Sequence, residues 1–366
     1  MTGRERFLTA ISNKKPDRLP CQVHSWMEYY LNTYLGGMDQ YQAYEYFGMD
    51  PVIYVKPEFI YNEKDLANWE VNVIDLGTDE DGNQHWQTII NTPEGTLVEK
   101  AAKNKFTRWI IEYIIKDEKD FEIWKKYVPI PERVDWSSVI EAKKRIGDRG
   151  IVRDAYFDFG QGSPWQSFSS KLFGLEESIM ACYDNPEWMH YVLESILEKK
   201  LKVIERGGKI ELDLVETGGG AGSSTVISPS LFKEFCLPYD IKQHKALHEA
   251  GTKVVYHLCG GIMPLLELVA RNGADGLETM TPPGMGGDCD LKEATRRVGD
   301  KLFFVGGFDQ NEGFENGNPE KVRKMVFELH EACPDGGYII SPSDHFFFGD
   351  PENIKAFVDA VRECTY

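Results

Sequence analysis

The chain is short of the features that mark several broad classes of protein. It has no run of apolar residues approaching the roughly 18 a helix needs to cross a bilayer. Its opening, "MTGRERFLTAISNKKPDRLP", has no hydrophobic core of a secretory leader. No Lys/Arg cluster offsets a formal charge of −18, which repels phosphate backbones, so nucleic acid is not expected as a partner. Its seven cysteines are odd in number, scattered and never arranged as CxxC, a pattern suited to reduced thiols. Together these absences predict a cytoplasmic protein. There is no Pro/Gly/Ser linker, low-complexity tract or fixed-period repeat, and "GGGAGSS" (218–224) lacks the Gly-Lys-Ser/Thr of a phosphate-binding loop.

What is present is ordinary globular material, with 42% hydrophobic and 27% charged residues over 366 positions, enough for a sizeable core. Short β-rich runs alternate with helical periodicity, the pattern of parallel strands joined by crossover helices. Strands are predicted at 19–26, 50–55, 150–157, 211–217, 252–258, 275–280, 301–308 and 337–341, and helices at 38–47, 176–207, 229–250, 261–272, 290–298, 318–333 and 351–363. Ser228-Pro229 and Asp350-Pro351 are good helix starts. Eight such units predict an α/β fold, a (β/α)8 TIM barrel, as a single domain over 1–366. "QHWQTIINTPEGTLVEKAAK" alternates and turns at Pro93-Glu94-Gly95, which predicts an inserted β-hairpin, 84–115, after strand 2.

In such barrels chemistry gathers at the C-terminal ends of the strands. Those ends carry Glu216, His257 with Cys259, Glu278, Asp309, and Asp344 with His345. His257 and Cys259 are two apart, so on a strand they project to one side and offer nitrogen and sulfur to one point, a donor pair suited to zinc. Glu216, before a glycine-rich loop, and Asp344 are the candidates to complete a metal site, with His345 competing for the last position. Glu278 and His345 are candidate catalytic or ligand-tuning groups. His24 and Asp309 are candidate substrate contacts. Aromatics crowd the same rim: Trp26, Tyr29 and Tyr30, then Phe157, Phe159 and Trp165, then Phe346 to Phe348. Such residues serve packing or a flat ligand equally well.

Five segments carry a family likeness: "RERFLTAISNKKPDRLP", "ISPSLFKEFCLPYDIKQHKALHEAGTKVVYHLCGG", "NGADGLETMTPP", "GDKLFFVGGFDQ" and "SDHFFFGDPENIKAFVDAV". Together they resemble the uroporphyrinogen decarboxylase superfamily, almost end to end and most strongly over 205–363. The resemblance implies a (β/α)8 barrel and one of two chemistries. One is cofactor-free decarboxylation of uroporphyrinogen. The other is zinc-dependent methyl transfer between methylated corrinoid proteins and thiols such as coenzyme M. The decarboxylases carry an arginine-rich "RQAGRY"-type stretch after the first strand, where this chain reads "HSWMEYYLNTYLGG", with Glu28 and no arginine. The His-x-Cys of the methyltransferase-like branch is present as His257-Leu258-Cys259. Where that branch has a second cysteine, this chain has Asp344, which leaves the acceptor's identity open. The resemblance thus implies Zn2+, and methylcobalamin carried by a partner corrinoid protein, since no corrinoid-binding domain is evident here. Still open are the direction of transfer, a small-molecule methyl donor in place of an acceptor, a non-catalytic tetrapyrrole-binding barrel, and a homodimer.

Overall fold

The computed structural model describes residues 1–156 and 162–366; Phe157 and Phe159 lie outside the described residues. The strands are β1 (Val52–Tyr54), β2 (Glu58–Ile60), β3 (Glu70–Thr78), β4 (Gln84–Thr92), β5 (Gly95–Lys103), β6 (Arg108–Glu112), β7 (Arg133–Asp135), β8 (Ile151–Asp154), β9 (Leu214–Gly218), β10 (Lys253–His257), β11 (Gly276–Thr279), β12 (Phe303–Phe308) and β13 (Tyr338–Pro342). Seven of them form one parallel sheet in the order β1-β8-β9-β10-β11-β12-β13. Helices connect them, and β9, β11, β12 and β13 are buried throughout. Each Val, Ile or Leu sealed between sheet and helices contributes about 1.5–3 kcal/mol. The sheet curls strongly: Arg153 on β8 reaches across two intervening sheet positions to bond Glu278 on β11.

The expected first strand, 19–26, does not form as a strand. Only Cys21 makes a parallel bridge, to Ile340 of β13, with Gln22 N donating to Ile340 O and Ile340 N donating to Pro20 O, both at 3.0 Å. Pro20 has no N–H to extend a ladder, and Leu19 N is spent on Cys364 O at 2.8 Å. The segment nonetheless lies along the open edge of β13 and delivers His24 to the sheet's interior, where it is buried.

β4 and β5 pair antiparallel around a two-residue Pro93-Glu94 turn, with Thr92 opposite Gly95. This hairpin is the middle of something wider than 84–115 suggested, since β3 and β6 flank it to make a four-stranded antiparallel sheet. β3 is exposed along its whole length and has no buried face to reveal it as part of a core.

The predicted helix 176–207 is two helices, Leu175–Asp184 and Pro186–Gly207, because Pro186 starts a new one with Asn185 as its cap. The predicted 229–250 is helical throughout, with one wide turn at Phe232–Cys236 ahead of Pro238, which lacks the N–H a regular turn would use. Ser228 caps its start at Leu231 N and Asp350 caps Glu352 N, as the sequence predicts. Among the described residues no helix is long and apolar enough to cross a membrane.

Candidate metal and acid-base site

At the centre of the curled sheet lies an arginine. Arg153 is fully buried, and its charge is compensated by two carboxylates, Glu216 of the adjacent β9 and Glu278 of β11 across the curl. Glu278 takes it in a two-pronged grip, Nη1 to Oε2 and Nη2 to Oε1, both 2.9 Å, while Nη2 also donates to Glu216 Oε2 at 3.1 Å. The Tyr54 ring lies 4.9 Å from the guanidinium carbon. Burial alone would raise the Glu278 carboxyl, but the Arg153 charge and hydrogen bonding from His257 hold it well below the usual carboxylate range.

The same carboxylates hold His257. β10 and β11 set His257 directly opposite Glu278, and Nδ1 lies 3.2 Å from Glu278 Oε1 and 3.6 Å from Glu216 Oε1. Burial opposes protonation of the ring, yet hydrogen bonds to Cys259 and Glu278 together with the Glu216 charge push His257 well above its ordinary value. Nδ1 is the nitrogen directed at the carboxylates, and a carboxylate on one ring nitrogen is the arrangement in which metal-binding histidines are usually held.

Cys259 follows β10 by two residues and is half-buried. Its sulfur lies against the glycine-rich loop after β9. A Cβ on Gly220 would stand 2.6 Å from Sγ, so any other residue here would push the thiol out of this position. Gly218 and Gly219 have φ of +83° and +138°, values glycine adopts without strain. The loop is pinned from behind, Trp165 Nε1 donating to Ala221 O at 2.8 Å and Ala221 N to Gln166 Oε1 at 2.9 Å. Trp165 is therefore a buried support rather than a rim aromatic.

From the far edge of the sheet, the loop after β13 brings Asp344 and His345. The ligand atoms of His257, Cys259 and Asp344 lie within 4.8 Å of one another, and so do those of His24, Asp344 and His345. Glu216 belongs to a separate grouping, with His24, His257 and Glu278. It faces Arg153 and Nδ1 of His257. Burial would raise the Asp344 carboxyl, but His24, His257 and His345 outweigh it and keep it below its ordinary value. His24 is driven down to about 3 by burial, which the Glu278 charge only partly opposes. Burial also lowers His345. The ring of His24 stands 5.0 Å from that of His257 and 4.7 Å from that of His345.

Asp309, expected as a substrate contact, has a structural bond of its own. Its Oδ1 accepts from Glu312 N at 3.0 Å and caps the turn that follows β12. The next residue, Gln310, is the one that reaches the site. It donates to the backbone carbonyls of Asp344 and His345 and accepts from Ser343 N, holding the loop that presents both side chains. Arg153 and Gln310 were both missed in the sequence. A charged residue inside the apolar strand "GIVRDAYF" was the available clue to Arg153; a glutamine beside an aspartate gave none.

Around the site, Trp26 stacks on Phe47 at 5.5 Å and Tyr30 meets Phe346 edge-on at 4.8 Å, so these rings pack the core. Phe106, at the β5–β6 turn, touches Tyr29, Phe347 and Phe348 at 4.8, 5.2 and 5.5 Å. The antiparallel sheet thus leans onto the loop that carries Asp344 and His345. Beside this contact lies a cavity of about 800 Å3 whose walls include Glu28, Tyr29, Lys103, Lys105, Phe106 and Phe347.

The profile of the family described as uroporphyrinogen decarboxylase (URO-D) matches residues 110–364. The chain belongs to this family. Relatives include the uroporphyrinogen decarboxylase of Pseudomonas putida, 29% identical over 261 residues that span 65% of this chain and 67% of that protein. That of Hydrogenovibrio crunogenus is 29% identical over 224 residues, 56% of this chain and 58% of the relative. Among solved structures, a methyltransferase from Methanosarcina mazei superposes over 99% of both chains, with a TM-score of 0.65 and 15% identity. That likeness is one of fold.

Proposed function

We propose that this URO-D family member is a zinc-dependent methyltransferase, moving a methyl group between a corrinoid carried by a partner protein and a small-molecule acceptor, a thiol. The observation that carries this reading is the meeting of a cysteine thiol with His257 and Asp344, donors from two separate parts of the sheet, at one point. Sulfur, nitrogen and one carboxylate form a three-residue set that leaves a position open for an exogenous ligand, the usual form of a catalytic zinc site. Zn2+ held there supplies a Lewis acid that lowers the pKa of an acceptor thiol.

The chain's own residues do the rest. Glu278 and Glu216 fix the His257 ring through Nδ1, and Arg153 keeps those two carboxylates in place. Glu216, expected among the ligands, has this supporting role. Gln310 sets the height of the Asp344 loop, and Gly220 makes room for the thiol. In the same reading the 19–24 segment is the eighth stave of a (β/α)8 barrel, and the chain is one cytoplasmic domain with the four-stranded sheet inserted.

A decarboxylase reading is favoured by the 29% identity to uroporphyrinogen decarboxylases. Against it, a substrate bearing many carboxylates needs free guanidinium groups, and the arginine in this site is already committed to Glu216 and Glu278. The test is methyl transfer from methylcobalamin to simple thiols by zinc-loaded protein beside Cys259→Ala. Transfer that requires Cys259 and zinc supports the proposal. Release of CO2 from a carboxylated tetrapyrrole by metal-free protein, unchanged in Cys259→Ala, would overturn it.

A further inference from the structure

The site holds more donor atoms than one ion needs. His257, Cys259 and Asp344 make one set; His24, Asp344 and His345 make another, its ligand atoms also within 4.8 Å of each other. His24 is 95% buried (5% exposed), and among the described residues its ring nitrogens have no hydrogen-bond partner; its recorded neighbours are the rings of Tyr54, His257 and His345. A buried imidazole is normally satisfied by a protein group, a water or a bound ion. His345 is exposed, at the open side of the set, and its ring makes no protein hydrogen bond among the described residues. The one bond recorded for the Asp344 side chain is from His345 N to Oδ1, at 2.7 Å, so Oδ2 remains for a ligand.

We propose that His24, Asp344 and His345 form a second divalent-cation site, sharing Asp344 with the His257–Cys259 site. The inference rests on the preceding reading only in that both use Asp344. Two imidazoles and a carboxylate suit zinc, cobalt or ferrous iron, and, lacking sulfur, this set is the harder of the two. A carboxylate with two oxygens can serve two ions, and paired sites are typically about 3.5–4 Å apart. The second ion is placed to receive an anionic oxygen or sulfur of the acceptor, which widens the acceptor class from simple thiols to chelating ones such as thiol-carboxylates.

The test is a Co2+ titration of the metal-free full-length protein, followed by absorption spectroscopy, on the parent, on His24→Ala/His345→Ala and on His257→Ala/Cys259→Ala. The proposal expects two equivalents in the parent, with a sulfur-to-cobalt charge-transfer band that accounts for only one of them. The first double variant should keep one equivalent with the band, and the second one equivalent without it. A parent that saturates at one equivalent overturns the second site, whatever the variants do. If that single equivalent carries the sulfur band, the proposed function survives; if the parent never shows the band, the function fails as well. Should the variants not fold, anomalous diffraction at the cobalt edge on parent crystals decides the matter, two peaks flanking Asp344 supporting the proposal and one peak refuting it.

Discussion

Arg153 is the residue on which the site's arrangement depends, although it has no place in the ligand set. Removing it leaves two carboxylates buried without their counter-charge, and breaking a buried pair from one side costs about 3–5 kcal/mol. Arg153→Met should therefore lower the urea midpoint by that equivalent, and Arg153→Lys, which cannot reproduce the two-pronged grip on Glu278, should recover only part of it. Gly220 is decisive for a steric reason. A methyl group there meets Cys259 Sγ at 2.6 Å, so Gly220→Ala should weaken zinc affinity by about tenfold or more, read by competition with a chelator, while leaving the far-UV circular dichroism unchanged. At this scale the sequence was half legible. The nearness of His257, Cys259 and Asp344 follows the sequence expectation, although β10 ends at His257 and Cys259 lies beyond it, so the loop and not strand alternation brings the thiol in. Arg153, Gln310 and the contacts of Glu216 with Arg153 and His257 could not be read, because they depend on the register of β8, β9 and β11 and on which oxygen faces which nitrogen, neither of which leaves a trace in residue type.

The inserted antiparallel sheet meets the site through one turn. Phe106 sits among Tyr29, Phe347 and Phe348, and aromatic pairs of this geometry contribute about 0.5–1.5 kcal/mol each beyond their burial. Phe106→Ala should leave global stability within about 2 kcal/mol of the parent, on the same basis, yet raise amide hydrogen exchange in helix Glu28–Tyr34 and in residues 345–348. Unchanged exchange in both would mean that the sheet does not brace the loop. The turn at Pro93-Glu94 was legible from its residues. The flanking β3 was not, because a strand exposed along its length lacks the one-sided burial that reveals alternation. The first barrel segment shows the reverse: an apolar run looked like a strand, but Pro20 limits it to a single bridge.

For the whole molecule, the parallel sheet and its helices followed from the alternation of β and α periodicity, and the superposition over 99% of the chain agrees with that architecture. Stability should also carry an imprint of burial away from the site. Asp240, fully buried on the helix Leu237–Glu249 behind β10, has its carboxyl pushed up to about 7 by burial, which the Tyr256 hydroxyl only partly opposes. An unfolded aspartate titrates near 3.9. Between those values the folded chain keeps a proton that the unfolded chain has lost, so this group makes stability fall as pH rises from about 4 to about 7 and then level off. Asp240→Asn should remove that fall: near parity with the parent at pH 4.5, and greater stability at pH 8, by urea unfolding.

The central claim is that one thiolate, one imidazole and one carboxylate of this chain hold zinc with a position left open for a thiol. Zinc-edge X-ray absorption on protein loaded with one equivalent of Zn2+ tests it most directly. The account predicts one sulfur at about 2.3 Å with the remaining ligands nitrogen or oxygen at about 2.0–2.2 Å, and a second sulfur once a thiol acceptor is added. A zinc shell of nitrogen and oxygen alone, unchanged by the thiol, would contradict it.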